Sequence, residues 1–299
     1  MGYLRVCVDD MLAYPPKMIR ATPKTLLAAA LLIPAAAAAW LLWLPDVRPL
    51  KKAWPKTTAY IELRRRQASA KGRPLNVAWE PVALGAISEN LQQAVLTAED
   101  DEFWRHDGVD WPAIKAAWER NRKEGKFAAG GSTITMQLAR NLYLSPSKNP
   151  LRKAKEILIA RRLEKELGKR RILELYLNVV EWGKGVFGCE AAARAYFAKP
   201  CAELSMDEAV AMAVVLPNPR RWDPAKRGKY VERNSRRILD RMAAAARERA
   251  LRDGDADEPD EEAADEEVPP AEVQSGSTTV NSSTGSFDSA NGRKPETLE

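Results

Sequence analysis

Cysteine is scarce in this chain: Cys7, Cys189 and Cys201 are the only three in 299 residues. They are too few and too scattered for a disulfide framework or a zinc site, so neither a stapled secreted module nor a zinc-binding fold is expected. Cys189 and Cys201 could still pair if their segment is extracytoplasmic; the alternative is two small buried thiols. Alternating polar and apolar runs of strand length are missing, which argues against a β architecture. No internal repeat stands out. No zinc finger or aromatic RNA-binding box occurs either, so nucleic acid is not expected as a partner.

What the chain does have is charge, unevenly spread. Residues 251–299 hold 14 acidic residues against 3 basic ones, whereas residues 1–250 hold 44 basic against 27 acidic. A basic body with an acidic tail points to anionic partners for the body, either phospholipid headgroups or phosphorylated substrates. The tail continues into a Ser/Thr/Gly-rich stretch over 274–286. Such composition buries too little apolar area to offset ordering entropy, and disorder is expected over 251–299.

One long apolar run is present. Residues 26–44 are 19 uncharged residues, which as a helix reach roughly 28 Å, about one bilayer core. Pro34 falls mid-span, and Trp40 and Trp43 suit an interface. An uncleaved anchor fits this length and the extended leader before it better than a signal peptide does. Lys17, Arg20 and Lys24 precede the span and Arg48, Lys51, Lys52 and Lys56 follow it, so the positive-inside rule does not choose an orientation. Residues 45–80, with Pro45, Pro49, Pro55 and Pro74, read as a linker. From about Ser88 to about Ala250 the pattern is almost continuously helical. Ser88 is a candidate cap for a helix running to about Asp100, and Asp110 with Pro112 for the next. Ser132 would start a helix after Gly130-Gly131. Ser205 and Glu208 form a capping box.

Three segments carry the chemistry. The first is EDDEFWRHDGVD over 99–110, which contains the single histidine, His106. A carboxylate beside aromatic rings at a helix end suits a raised pKa and a general base, and equally a solvated helix end over a core. The second is GGSTITMQLARN over 130–141, a flexible turn into a capped helix N-terminus, which is a natural anion site as well as an ordinary loop and cap. The third is KNPLRKAKE over 148–156, where Lys148, Arg152, Lys153 and Lys155 crowd ahead of Glu156. Arg152 and Glu156 share one helix face.

In this order and spacing the segments resemble the glycosyltransferase domain of peptidoglycan polymerases, above all the monofunctional biosynthetic transglycosylases. The family's first motif, Glu-Asp-x-x-Phe-x-x-His-x-Gly, is met in full by Glu99, Asp100, Phe103, His106 and Gly108. Its second is met by Gly130, Ser132, Thr133, Ile134, Gln137 and Asn141, with Met136 replacing a glutamine and Arg140 a lysine. The third, Arg-Lys-x-x-Glu, is Arg152, Lys153 and Glu156. The fourth is read in ILELYLN at 172–178 with Gly183, Gly188 and AAARAYFAK at 191–199. The resemblance covers roughly residues 80–225. A Ser-x-x-Lys pattern at 145–148 lies inside these motifs and no Lys-Thr-Gly follows it, so it does not signal transpeptidase chemistry.

The resemblance implies a mostly α, lysozyme-like domain behind one N-terminal transmembrane helix. The organisation expected is a cytoplasmic leader (1–25), an anchor (26–44), a linker (45–80), the glycosyltransferase domain (81–250) and the acidic tail (251–299). It implies residence in the bacterial inner membrane, single-pass, with the catalytic domain in the periplasm. No room for a transpeptidase domain is expected after residue 250. The reaction implied is polymerisation of lipid II into β-1,4-linked glycan with release of undecaprenyl pyrophosphate. Glu99 would be the general base. Glu156 would position cations, with direct acid catalysis a lesser alternative.

Asp100, Phe103, His106, Ser132, Thr133, Gln137, Arg140, Lys148, Arg152 and Lys153 would form the substrate site, the cations neutralising pyrophosphate. His106 would be structural within its motif. The residues leave open whether a cofactor is required; a divalent cation, magnesium or manganese, at the pyrophosphate is the one candidate, and no protein metal site is assigned. Partners would be lipid II, the growing glycan, the membrane, and cell-wall synthesis or division proteins. Residues 111–129, which mix Trp111, Ile114, Trp118 and Phe127 with five cations, fit either a membrane-dipping lid or an ordinary amphipathic helix on the core, and the resemblance implies the lid. A peptidoglycan hydrolase and a wall-binding scaffold are the rival classes, and the basic cluster argues against the first.

Overall fold

A computed structural model describes residues 23–125, 130–147 and 149–255. Most of the leader, residues 126–129, Lys148 and the tail beyond Asp255 therefore lie outside the described residues. Met1–Leu251 forms one compact unit and Arg252–Glu299 a second, of which only the end of the last helix is described.

The first unit is mostly helical, as its periodicity predicts. Among the described residues ten helices run in order: α1 (Pro23–Leu42), α2 (Ala59–Ser69), α3 (Glu89–Glu99), α4 (Trp111–Glu124), α5 (Ile134–Tyr143), α6 (Pro150–Leu167), α7 (Lys169–Val179), α8 (Cys189–Phe197), α9 (Met206–Val215) and α10 (Lys229–Asp255). Three strands of two or three residues, β1 (Ala78–Trp79), β2 (Glu181–Gly183) and β3 (Val186–Phe187), form a sheet of order β1-β3-β2. β1 pairs with β3 in parallel, and β2 with β3 antiparallel. Strands this short carry no alternation to read in a sequence.

The core explains why α3 and α5 are held firmly. α5 buries Ile134, Thr135, Met136, Leu138, Ala139 and Leu142 and packs against α6 and α7. After its acidic first turn α9 is wholly apolar, with Ala209 to Val215 buried, and it packs against α3, which buries Leu91, Ala94 and Val95. Each fully buried Leu, Ile or Val side chain contributes about 1.5–3 kcal/mol before entropy is counted.

Helix starts follow the capping chemistry with two differences. Asp110 accepts from the Ala113 amide at 2.8 Å, with proline in the first turn of α4. Ser205 and Glu208 make the reciprocal capping box of α9. Thr133, not Ser132, caps α5, accepting from the Met136 amide at 3.1 Å. Ser88 stands at the start of α3 without capping it; its hydroxyl donates instead to the Leu204 carbonyl at 3.1 Å.

Where prolines predict a linker, residues 45–80 hold a 3-10 turn (Arg48–Lys51), α2 and β1. Val47, Leu50 and Ile61 are buried there, and Arg64 of α2 pairs with Glu181 of β2 at 2.6 Å. Pro49 sits in the first positions of the 3-10 turn, where the missing N–H costs nothing.

The apolar run is helical over Pro23–Leu42, with Leu26, Leu31, Leu32 and Leu42 exposed. Among the described residues no helix is long and apolar enough to cross a membrane; six of the side chains in α1 fall outside that description. The C-terminal end of α1 is clipped to α6. The Lys155 ammonium donates to the Trp40 carbonyl at 2.6 Å and lies 4.0 Å from the centre of the Trp40 ring. The lysine is buried, and burial holds it below its ordinary range.

Candidate active site

Glu99 is the last residue of α3, and the chain leaves the helix through Asp100 in an extended conformation. That turn separates two adjacent carboxylates with different work. Asp100 is buried and faces inward, accepting from the Ile134 amide at 2.8 Å and from His106 Nε2 at 3.0 Å. His106 Nδ1 in turn accepts from the Gly108 amide at 3.1 Å. An acceptor at Nδ1 and a carboxylate at Nε2 specify the neutral tautomer with its proton on Nε2. Phe103 is fully buried, edge-on to Trp104 and to His106. Thr133 donates to the Gly108 carbonyl at 2.7 Å. Asp100, His106 and Thr133, all expected in the substrate site, thus use their polar groups to tie the loop after α3 to the start of α5, with Phe103 packed beneath.

Gly108 shows how tight that tie is. Its φ is +80°, and a Cβ there would sit 2.8 Å from Glu164 Cγ and 3.3 Å from the Ala160 carbonyl oxygen. Gly108→Ala is expected to destabilise the protein by about 1–3 kcal/mol through backbone strain and overpacking. Thermal unfolding of the variant beside the parent checks this.

Glu99 borders a cleft of about 300 Å³ that is lined also by Asp100, Asp101, Asp110, Gly131, Ser132 and Arg241 among others. Its Oε2 accepts from Gln137 Nε2 of α5 at 2.7 Å. The far end of the amide is held too, because the Tyr176 hydroxyl of α7 donates to Gln137 Oε1 at 3.2 Å. Tyr176 is fully buried. Gln137 thus presents its N–H to the carboxylate and its carbonyl to the tyrosine hydroxyl. Burial raises the Glu99 pKa above its ordinary value, opposed by the Gln137 hydrogen bond and the charge of Arg140.

A cationic cluster adjoins this cleft through Ser132. The Lys153 ammonium donates to Ser132 Oγ at 2.7 Å and to Glu156 Oε1 at 2.6 Å. Arg152 donates to the other Glu156 oxygen and, through Nε, to the Ser147 carbonyl at 2.6 Å. Glu156 is fully buried, so one carboxylate organises two cations from the same helix. Burial holds Lys153 below its ordinary range, with Glu156 opposing that. Arg140 of α5 leaves its buried Nε without a partner among the described residues. Gly131, in the loop just before Ser132 and Thr133, lies against α4: a Cβ on it would be 2.8 Å from Ile114 Cα.

A larger cavity of about 540 Å³ lies beyond His106, lined by Arg105, Trp111, Arg161, Glu164 and Lys165 among others. Asp100 lines the first space and His106 the second, so their hydrogen bond is part of the wall between them. Of the two spaces, the smaller cleft is the one that Glu99 faces.

A family model described as Transglycosylase matches residues 71–243. The chain belongs to the transglycosylase family. Curated relatives named biosynthetic peptidoglycan transglycosylase include one from Aromatoleum aromaticum, 50% identical over 191 residues, which is 64% of this chain and 83% of the relative. A second, from Laribacter hongkongensis, is 43% identical over 188 residues, 63% of this chain and 82% of the relative. A third, from Chromobacterium violaceum, is 47% identical over 182 residues, 61% of this chain and 79% of the relative.

In this transglycosylase the expected site residues fall into two groups. Glu99, Ser132, Gln137, Arg140, Arg152, Lys153 and Glu156 gather around the cleft and its cationic flank, while Asp100, Phe103, His106 and Thr133 join the loop after α3 to the start of α5, Asp100 and Thr133 also lining the cleft; Lys148 lies outside the described residues. Two further participants carry no local signal in the sequence. Tyr176 sits in the ILELYLN motif, where nothing nearby shows that its hydroxyl reaches α5. Arg241 of α10 pairs with Asp101 at the cleft mouth, a contact between residues 140 apart.

Proposed function

We propose that this transglycosylase polymerises lipid II into β-1,4-linked glycan, with Glu99 as the base that takes the proton from the attacking 4-hydroxyl. The observation that carries the reading is the Tyr176–Gln137–Glu99 chain of hydrogen bonds, ending at a cleft whose lining leads through Ser132 to Lys153. A partly buried carboxylate with a raised pKa is an effective proton acceptor near neutral pH. Inversion at the anomeric carbon needs no covalent sugar–enzyme intermediate.

The leaving group is a pyrophosphate, and charge builds on its oxygens as the bond breaks. Lys153 and Arg152 supply donors for that charge, each worth about 3–4 kcal/mol when well aimed, and Arg140 adds its positive charge nearby. Glu156 keeps two of these cations in place. A protein-held divalent cation does not fit this donor set: both Glu156 oxygens are taken by Arg152 and Lys153, and Asp100 is taken by Ile134 and His106. A lysozyme-like fold accommodates this cleft, and α1 with the exposed Trp40 and Trp43 serves as a single-pass inner-membrane anchor that leaves the domain in the periplasm.

α4 supports the membrane reading independently. It buries no residue fully, and Trp111 and Trp118 are more than half exposed. Arg161 lies over the first ring and Arg122 over the second. Exposed tryptophans flanked by arginines suit a bilayer interface. Trp111→Ser/Trp118→Ser is expected to lower partition into anionic vesicles several-fold with no loss of thermal stability, measured by vesicle sedimentation and unfolding of the same preparations.

The test of the activity is incubation of detergent-solubilised protein with purified lipid II. Glycan chains and free undecaprenyl pyrophosphate are expected. Absence of polymer together with cleavage of finished peptidoglycan would replace this reading with a hydrolase.

A further inference from the structure

Cys189 opens α8 and Cys201 opens the 3-10 turn Cys201–Glu203. Neither is exposed at all, and their sulfur atoms stand 3.4 Å apart. The chain around them is pinned. The Cys201 amide donates to Glu190 Oε2 at 2.7 Å, its carbonyl accepts from the Ser88 amide at 3.2 Å, and its thiol donates to the Ala86 carbonyl at 3.4 Å. Glu190 is itself buried and paired with Arg194.

We propose that Cys189 and Cys201 form an intramolecular disulfide in the exported enzyme, stapling α8 to the turn that seats the start of α3. The inference rests on the periplasmic placement proposed above, because a disulfide persists only in an oxidising compartment. Two sulfurs at van der Waals distance need to close by little more than 1 Å to reach the bonded separation of about 2.05 Å, within the reach of side-chain torsions. Pairing is local in sequence, across 12 positions, so few competing partners intervene.

The chemistry balances with an external disulfide donor. The thiolate of one cysteine attacks the donor's sulfur, forming a mixed disulfide. The second thiolate then displaces the donor, so one protein S–S bond forms as the donor's S–S bond becomes two thiols, with two electrons passing to the donor. Timing follows from the folded site. Contact with Cys189, burial and the neighbouring Glu190 push the Cys201 thiol far up, leaving no thiolate to react once the core has closed. Oxidation therefore accompanies folding, and the finished bond is shielded from soluble reductants.

The staple also has a mechanical target. Ser88, held by the Cys201 carbonyl, begins the helix that ends at Glu99.

The test takes full-length protein from membranes, quenched in acid and alkylated under denaturing conditions without reductant. Peptide mass mapping is expected to find the Cys189 and Cys201 peptides linked, two hydrogens lighter than their sum, and separately alkylated only after reduction. Protein unfolded, reduced and refolded in reductant, which opens the shielded bond, is expected to melt lower by on the order of 5–10 °C than protein refolded without it. The Cys189→Ala/Cys201→Ala variant should start low and ignore reductant. Protease accessibility of the domain in spheroplasts runs in parallel. Free, alkylated thiols in a protease-accessible domain would overturn the disulfide alone. Free thiols in a protected domain would overturn the placement and the disulfide with it. A linked pair whose reduction leaves the midpoint unchanged would remove the stapling role.

Discussion

Glu99→Gln is expected to abolish glycan polymerisation, by at least about 100-fold, while leaving the protein folded. The amide keeps the shape of the carboxylate and still accepts from Gln137, so the chain of hydrogen bonds from Tyr176 survives and only the proton acceptor is lost. Stability should move the other way. Burial raises the Glu99 pKa above its ordinary value of 4.5. As pH rises through the interval between the unfolded and folded values, the unfolded chain releases its proton first and the folded state loses stability. Above both values the full penalty remains, so at neutral pH the glutamine variant should melt at or above the wild-type temperature. The same shift places the acidic limb of the wild-type rate profile above the range of a free glutamate. Paired measurements of initial rate against pH and of thermal midpoint at neutral pH check all three. A variant that polymerises normally would remove Glu99 from its role, whatever its stability.

The second large effect is expected at Glu156. Glu156→Ala leaves Arg152 and Lys153 partly desolvated with no shared counter-charge, and breaking such a buried pair costs about 3–5 kcal/mol. For a domain of this size that corresponds to a fall in midpoint of roughly 6–20 °C. The loss should lessen at alkaline pH. Burial already holds Lys153 below its ordinary value of 10.5, and Glu156 is what opposes that. Without the glutamate the folded state gives up the Lys153 proton earlier still, while the unfolded chain keeps it to about its ordinary value. Stability therefore rises with pH across that interval. Midpoints measured from neutral pH to about pH 10 for variant and parent should converge. A pH-independent difference would mean that the glutamate acts by packing and not by charge.

Much of this architecture is legible in the sequence, and the boundary of legibility has a physical shape. Helices announce themselves through local rules, so the caps at Asp110 and Ser205 and the apolar stretch of α9 can be read directly. The motifs of the site can be read as well, since the residues of each lie close together along the chain. What stays hidden is every relation set by distant chain segments meeting. Tyr176 reaches Gln137 across 39 positions, and Arg64 reaches Glu181 across 117. No periodicity encodes such pairs. The prolines of 45–80 mislead for a related reason: a proline that opens a 3-10 turn and one that stiffens a linker look alike until the partner surface is present. Motif membership marks Asp100 and His106 as needed, but the hydrogen bonds by which they join the loop after α3 to α5 appear only when those segments meet.

The clip between Lys155 and the Trp40 carbonyl bears on how the enzyme searches. A catalyst on a slack tether wanders through a hemisphere and finds its substrate by three-dimensional tumbling. Here α1 is fastened by its last turn to α6, the helix that also carries Arg152, Lys153 and Glu156. With α1 seated in a bilayer as proposed, the cleft keeps a constant height and tilt above the surface. What remains free is lateral drift and spin about the membrane normal, and the encounter with a lipid-borne substrate becomes a search in two dimensions.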